Sequence, residues 1–248
     1  MLRKVLFFAL LTGLAACNNQ SAHQTQDSLH THNTLSVSVT HITGTYQGTL
    51  PCADCPGKDY QISLYDDHTY QDLVSYQGRG NNIATVETGT WRAINDSIVM
   101  LERKNDSSSF LAAEGKLILL DRSGKRIEGV LASNYELKPV EGGDRRVLLS
   151  GKKASGINFF ASGNEPFWTL DIDKKKILFK LKAGDSISTS LPNPTTNLDT
   201  LKIYKTKEIT VTIRSTTCAD DMSGYMRPNT VQLQVGDKTY SGCGEFIK

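Results

Sequence analysis

Short runs of alternating apolar and polar residues dominate the chain from about residue 43 onward. They recur about every eight to twelve residues and are separated by turn signals such as Asp66-Asp67 and Ser123-Gly124, as in all-β domains. Helical periodicity is hard to find in any segment. The pattern therefore predicts an all-β protein.

The first module reads as a meander of about eight strands. A sheet of that many twisted strands with one apolar face tends to close on itself, because closure removes its open edges. The pattern predicts a small up-and-down barrel with a filled or narrow interior and with Trp91 in its core. The predicted strands cover residues 45–50, 60–65, 69–76, 87–94, 97–101, 110–113, 116–120 and 135–138.

A polar, glycine-rich stretch over residues 139–154 marks a boundary, although the apolar residues 147–149 interrupt it and either close one module or open the next. We expect a barrel domain at 41–141 and a second small β domain at 155–248, each long enough for its own core. The second module has predicted strands at residues 157–160, 167–173, 177–181, 201–204, 209–213, 230–235 and 239–242.

The first residues carry a targeting signal. Arg3 and Lys4 precede an apolar run of about a dozen residues, which is short against the roughly 20 of a spanning helix. This indicates a signal peptide at 1–16. The sequence Leu14-Ala-Ala-Cys17 resembles the bacterial lipobox, which implies that Cys17 carries palmitate-type acyl chains and anchors the protein. Asn18 then favours the outer membrane, with the protein facing the periplasm or the cell surface.

Residues 17–40 are rich in Asn, Gln, Ser, Thr and His and predict a flexible tether. Four histidines, at 23, 30, 32 and 41, could collect copper or zinc loosely, but no spacing fixes a geometry, so a solvated tether is the preferred interpretation. Loss of the leader removes two of 28 basic side chains and leaves 26 basic against 26 acidic. Such a balance argues against a nucleic-acid partner.

With Cys17 assigned to lipid, Cys52, Cys55, Cys218 and Cys243 remain. An oxidising envelope favours disulfides, and two separate cores favour pairing within each module. A Cys218–Cys243 bond would close a loop of about 25 residues and contribute roughly 3 kcal/mol. A Cys52–Cys55 bond would contribute less, because so short a loop removes little entropy from the unfolded chain.

Three uses of Cys52 and Cys55 stay open. As a dithiol the pair could bind a soft ion such as Cu(I). As a disulfide it could act as a reducible sensor of the envelope's folding machinery, or only staple a loop. A thioredoxin-like enzyme is disfavoured, because that chemistry places C-x-x-C at a helix N-terminus and none is predicted here.

The stretch GTYQGTLPCADCPG at residues 44–57 resembles the opening of the NlpE-type copper-resistance lipoproteins, and residues 64–70 and 87–91 extend the resemblance. It implies a lipocalin-like barrel on an outer-membrane lipoprotein, linked to copper tolerance and to an envelope-stress sensor as partner. It also implies that Cys52 and Cys55 are the family's paired cysteines and candidate copper ligands.

After about residue 140 the chain departs from the best-known members of that family. It resembles instead uncharacterised envelope domains with a G-N-E-P-F-W signature, here at residues 163–168, and a C-x-D-x-M-S segment, here at residues 218–223. The resemblance therefore supports the fold of the first module more strongly than it supports the stress-signalling role of the best-known members.

The second module offers few candidates for chemistry. Glu165, Asp220 and Asp221 could form a glycosidase-like carboxylate pair, but turn chemistry explains them better. Phe167 and Trp168 are expected in the core. Met222 and Met226, four apart, could be soft copper ligands, although packing is the simpler explanation.

No phosphate loop, G-x-S-x-G elbow or H-E-x-x-H motif occurs, so we expect no enzyme activity. The preferred hypothesis is a non-enzymatic lipoprotein that handles copper or reports envelope stress through Cys52 and Cys55, with no cofactor other than copper. The alternatives are a lipocalin-like carrier of a small apolar ligand and a structural or partner-binding envelope protein.

Overall fold

A computed structural model describes residues 42–104, 106–142 and 144–247. The predicted leader, the lipidation site Cys17 and the tether with its histidines lie outside these residues and stay predictions. Within the described ranges, none of the helices has the length and apolar character needed to cross a bilayer.

Eight antiparallel strands form a closed up-and-down barrel, as the alternation predicts. Strand β1 pairs with β2 on one side and with β8 on the other, where Thr45 lies opposite Val140, and this last pairing closes the barrel. The strands are β1 Gly44–Leu50, β2 Lys58–Leu64, β3 Thr69–Tyr76, β4 Ala84–Ala93, β5 Ile98–Glu102, β6 Ser107–Ala113, β7 Lys116–Leu119 and β8 Glu136–Val140.

Large side chains fill the barrel interior. Trp91 is buried there as predicted, and its indole Nε1 donates a hydrogen bond to the carbonyl of Tyr65 at 3.1 Å. The rings of Tyr60 and Phe110 stack with centroids 6.2 Å apart. An interior so occupied counts against the predicted alternative of a ligand carrier, because lipocalin-like carriers keep a cavity. The buried interior set is Ile42, Tyr46, Leu50, Tyr60, Ile62, Leu64, Tyr70, Trp91, Val99, Leu101, Phe110, Ala112, Leu117 and Leu137.

Residues 147–149 neither close the barrel nor open the second sheet, which corrects the prediction for this stretch: they lie in helix α1, Arg146–Ala154. The carboxylate of Asp144 accepts a hydrogen bond from the first helical amide, that of Arg146, at 2.8 Å. Lys152 and Lys153 lie in the last turn, where positive charge complements the helix dipole. Nine residues with three adjacent apolar positions are too few for a helical period to emerge from the sequence.

A nine-stranded antiparallel sheet follows, in the order β12-β11-β10-β9-β19-β18-β15-β14-β13. All seven predicted strands are present, but the edge strands β12 and β13 are not foreseen, because their Ser, Thr and Asn residues give no apolar alternation. Its strands are β9 Phe159–Asn164, β10 Phe167–Ile172, β11 Lys176–Leu181, β12 Ser186–Ser190, β13 Thr196–Leu198, β14 Leu201–Lys205, β15 Thr210–Arg214, β18 Asn229–Val235 and β19 Lys238–Phe246, and the short pair β16 Cys218–Ala219 and β17 Met226–Arg227 stands apart.

Strand β10 corrects one prediction about the second core. Trp168 is buried as expected, but Phe167 is 43 % exposed, and its ring lies 4.9 Å from the Lys182 ammonium. Successive residues of a strand point to opposite faces, so only one of two adjacent aromatics can enter the core. The predicted core position of Phe167 is therefore wrong.

The barrel and the second sheet pack against each other through hydrogen bonds. Gln61 on β2 is buried; its amide donates to the carbonyl of Met226 at 3.1 Å and its Oε1 accepts from the amide of Met226 at 2.7 Å. Near the start of β4, the carbonyl of Asn82 accepts from the amide and the hydroxyl of Thr217 at 3.0 and 2.9 Å. We propose that the two bodies are the domains 41–141 and 155–248, joined by this interface.

Candidate functional site

The C-x-x-C loop, residues 51–57, connects β1 to β2 at one end of the barrel. Cys52 and Cys55 form a disulfide with Cα atoms 5.3 Å apart, and both are partly exposed. Ala53 and Asp54 between them are exposed, whereas Leu50 and Gly57 are buried and fix the two ends of the loop. The pair is therefore presented to the surroundings by a loop with anchored ends.

Gly57 allows the loop to lie against the β3–β4 connection. A Cβ atom there would lie 2.6 Å from Cγ2 of Thr49 and 3.0 Å from Oε1 of Gln77, so only glycine fits. The amide of Gln77 donates to the carbonyl of Gly57 at 2.9 Å, and its side-chain amide donates to Asp59 at 2.8 Å. The requirement for glycine explains its place directly after Cys55-Pro56.

Asp54 completes the candidate donor set. The two sulfurs and a carboxylate oxygen of Asp54 lie within 4.8 Å of one another. Arg79 holds this acid: its guanidinium lies 2.5 Å from the Asp54 carboxylate and donates to the Asp54 carbonyl at 2.8 Å. Thiolates are the ligands that Cu(I) prefers, and a disulfide offers none. As bonded here, the pair does not fit Cu(I); as a dithiol it would.

A charged cluster lies inside the barrel below this loop. Asp72 is 1 % exposed and faces Glu87 across the β3–β4 ladder, and the guanidinium of Arg103 contacts both carboxylates. Tyr60 donates to Asp72 at 2.9 Å and accepts from Arg103 at 3.0 Å. Burial raises the pKa of Asp72, and burial and then Arg103 lower the pKa of Lys58 at the mouth.

This charged cluster is not among the predicted site residues, although the sequence contains one signal for it. In TYQDLVSY, residues 69–76, the inward positions are 70, 72 and 74, so an aspartate occupies a position where the barrel pattern requires an apolar residue. A buried acid needs a partner of opposite charge, and that partner is 31 residues away in sequence. Spacing alone could not identify it.

Asp220, the candidate acid of the second module, is engaged in a turn. Its carboxylate accepts from the amides of Met222 and Ser223 at 3.1 and 3.0 Å, from the Ser223 hydroxyl at 3.0 Å and from Asn164 at 3.2 Å. Burial alone would raise the pKa of Asp220, but the bonds from Ser223 and the others outweigh it and lower that pKa. A carboxylate used in this way serves turn chemistry, while Glu165 is exposed in the neighbouring connection.

The second disulfide, Cys218–Cys243, joins β16 to β19 with Cα atoms 5.4 Å apart. Buried Arg227 supports it by donating to the Cys243 carbonyl at 2.7 Å and to the Ser162 hydroxyl at 2.6 Å. Burial and the nearby Arg145 lower the pKa of Arg227 to about 10. This bond is part of the core of the second body.

The two candidate methionine ligands differ in environment. Met226 is buried and its backbone bonds to Gln61, whereas Met222 is exposed. Asp221 is exposed as well. The geometry thus gathers donor atoms around Cys52 and Cys55 rather than around the methionines.

Comparisons with known proteins agree with the motif in the first module. Residues 46–130 match the family model of the NlpE N-terminal domain. Lipoprotein NlpE of Escherichia coli (strain K12) is 28% identical over 146 residues, 57% of this chain and 59% of that protein. The 17 kDa lipoprotein of Treponema pallidum (strain Nichols) is 32% identical over 88 residues, 35% of this chain and 56% of that protein.

The chain thus spans less than two thirds of the length of either relative. The crystal structure of the Cpx pathway activator NlpE from Escherichia coli is 21% identical, with 82% of this chain and 95% of that chain covered and a TM-score of 0.33. The predicted resemblance of the barrel to NlpE is confirmed over residues 46–130. The resemblance of the second module to G-N-E-P-F-W domains stays a prediction.

Proposed function

We propose that this chain is a lipoprotein anchored in the bacterial outer membrane through Cys17, which handles copper and reports envelope stress through the C-x-x-C loop of its barrel. The match of residues 46–130 to the NlpE N-terminal domain supports this proposal, as do two relatives that are themselves lipoproteins. The Escherichia coli relative is a Cpx pathway activator, which supports a stress sensor as the protein partner.

One observation carries the proposal: two sulfurs and a carboxylate lie together on an exposed loop that the rest of the barrel holds in place. The cysteines are separated by only three positions, so their bond adds little stability compared with a long-range one. A pair that contributes little to the fold, yet is held in position at the surface, is better explained by chemistry than by stapling.

The pair has two states. In the oxidised state the sulfurs are bonded to each other. A dithiol reductant of the envelope would supply two electrons and two protons, become a disulfide itself and leave two thiols at Cys52 and Cys55. The reduced loop would then offer two soft ligands with Asp54 beside them, and Arg79 would keep that carboxylate in place.

Copper binding is tested with the full chain, reduced and oxidised, in competition with a Cu(I)-selective chelator. We expect the reduced protein to take Cu(I) from the chelator, and we expect the oxidised protein and the Cys52→Ser/Cys55→Ser variant to fail. Asp54→Asn is the matched control, since it keeps both sulfurs and should retain most of the affinity. Equal affinity in the reduced protein and the double variant would remove the cysteines from this role.

Signalling and location need separate tests. Thiol trapping in whole cells reports the redox state of Cys52 and Cys55, and an envelope-stress reporter in the same cells should respond when the pair is reduced or replaced. A reporter unaffected by the double serine variant would favour the alternative of a scaffold. Mass analysis of the mature N-terminus and membrane fractionation test the anchor, because Cys17→Ser should release the protein from the outer membrane.

A further inference from the structure

Four connections meet at one end of the barrel, because consecutive strands run in opposite directions. We call the loops 51–57, 77–83 and 120–135, together with residues 103, 104 and 106, the cysteine rim, since the first of these loops carries Cys52 and Cys55. The turns 65–68, 94–97 and 114–115 form the far rim at the opposite end. The two rims differ in both apolar exposure and charge.

The cysteine rim exposes aliphatic side chains at its longest loop. Val130 is 99 % exposed and Leu131, beside it, is 53 % exposed. Tyr76, at the end of β3, and Ile83, in the neighbouring connection, are exposed as well. On the far rim Ile94 is the one exposed large apolar residue among the described positions, at 46 %. Scattered apolar residues are normal on a surface, whereas an exposed adjacent pair occurs at two places among the described residues, here and at Val147-Leu148 of α1.

The charge of the loops also differs between the two ends of the barrel. The turns of the far rim carry four acidic residues, Asp66, Asp67, Asp96 and Glu114, and no Lys or Arg of their own, although Arg146 of α1 forms an ion pair with Asp67. The cysteine rim carries more basic than acidic residues. Its basic residues are Arg79, Arg103, Lys104, Arg122, Lys125 and Arg126, against the acids Asp54, Asp106, Asp121 and Glu128. Arg79 is paired with Asp54 and Arg103 with the carboxylates inside the barrel, so the unpaired cations of the described rim lie mainly in loop 120–135.

An aliphatic tip surrounded by exposed cations is the arrangement with which peripheral proteins contact anionic bilayers: the aliphatic groups enter the interface and the cations attract lipid phosphates. Arg122, Lys125 and Arg126 are all exposed within eight residues of Val130. The Asp121 carboxylate is used within the loop, where it accepts from the amides of Ser123 and Lys125 at 2.8 and 2.9 Å, and it remains an acid among these basic residues.

We propose that the cysteine rim docks on an anionic lipid bilayer, with Val130 and Leu131 inserted into the interface and the basic residues of loop 120–135 on the headgroups. The acidic far rim then points away from the surface. The C-x-x-C loop faces the membrane in this orientation. Docking of this kind requires no copper and no redox change, so it stands or falls separately from the function of the cysteines.

Depth-dependent fluorescence quenching tests the orientation on the full chain in vesicles of phosphatidylglycerol and phosphatidylethanolamine that contain brominated acyl chains. Cys17 is replaced by serine so that only the introduced thiol reacts, and a thiol-reactive dye is placed at Val130→Cys or, as the matched control on the far rim, at Ile94→Cys. Both positions are exposed, and both native cysteine pairs of the described residues are bonded. We expect at least about twofold stronger quenching at position 130, because a tip residue sits roughly 5–10 Å deep in a docked protein.

The charge requirement is tested on the same label. Arg122→Glu with Lys125→Glu, or vesicles of phosphatidylcholine alone, should lower the quenching at position 130 toward that at position 94. Equal quenching at 130 and 94 in anionic vesicles would overturn the proposal, and would be the result if the exposed tip served a protein partner. Quenching at 130 that survives both charge changes would overturn the assignment to anionic lipid.

Discussion

Removal of each disulfide in turn should reveal that the two bonds serve different purposes. The Cys218–Cys243 bond spans 25 positions and the Cys52–Cys55 bond spans three. The entropy lost by the unfolded chain on closing these loops corresponds to about 3.5 and about 1.6 kcal/mol at 25 °C. Cys218→Ala/Cys243→Ala should therefore lower the free energy of unfolding by about 2 kcal/mol more than Cys52→Ala/Cys55→Ala does.

Burial widens this difference. Cys243 lies in the second core, 3 % exposed, so its truncation also removes packed sulfur, whereas Cys52 and Cys55 are partly exposed on a loop. For a slope of about 2 kcal/mol per molar urea, the loss of the long-range bond corresponds to a shift of the midpoint by about 1.5–2 M.

The protein contains two tryptophans, and each reports on one body: Trp91 is buried in the barrel and Trp168 in the second sheet. Urea unfolding followed by fluorescence in Trp91→Phe and Trp168→Phe backgrounds therefore gives one curve for each body. We expect the Cys218–Cys243 deletion to shift the Trp168 curve most. Equal shifts for the two deletions, or a larger one for the C-x-x-C pair, would refute the loop-length argument.

Three further outcomes follow from single contacts. Gln61→Ala should lower the free energy of unfolding by about 2–6 kcal/mol, because it leaves the amide and the carbonyl of Met226 without their partner at about 1–3 kcal/mol each, and should separate the two tryptophan curves. The pKa of Asp67 is lowered from 3.8 to about 2, first by hydrogen bonds from Thr69. The ionised carboxylate therefore stabilises the fold above pH 3.8, and this contribution is lost as the pH falls toward 2. In Thr69→Val, the pKa of Asp67 measured by NMR titration should move back toward 3.8. Phe167→Ser should lower the free energy of unfolding by only about 0.5 kcal/mol, because Phe167 lies at the surface, 43 % exposed, and outside the second core. A loss of several kcal/mol in urea unfolding would contradict this position.

Local pattern carried the prediction of the barrel. Period-2 alternation predicts the strands, because it depends on residues that are close in sequence. Pairing within each module predicts the disulfide partners, because the two cysteines of a pair share one core. The edge strands β12 and β13 and helix α1 are not predicted, because short elements with few apolar residues show no hydrophobic periodicity. The prediction for Phe167 is wrong because it rests on the apolar character of the side chain and not on the face of β10 that the residue occupies.

The contacts that join the two bodies could not be predicted for a different reason. Gln61 and Met226 are 165 positions apart, and Gln61 bonds only to the backbone amide and carbonyl of its partner. Thr217 likewise reaches the backbone carbonyl of Asn82. Backbone groups are the same for almost every residue type, so these bonds place little demand on the sequence of the partner strand and leave no motif there. Because Gln61 binds only backbone groups, the same face of the barrel can pack against a second module of different sequence. That module needs only to present an unpaired backbone amide and carbonyl at the right distance.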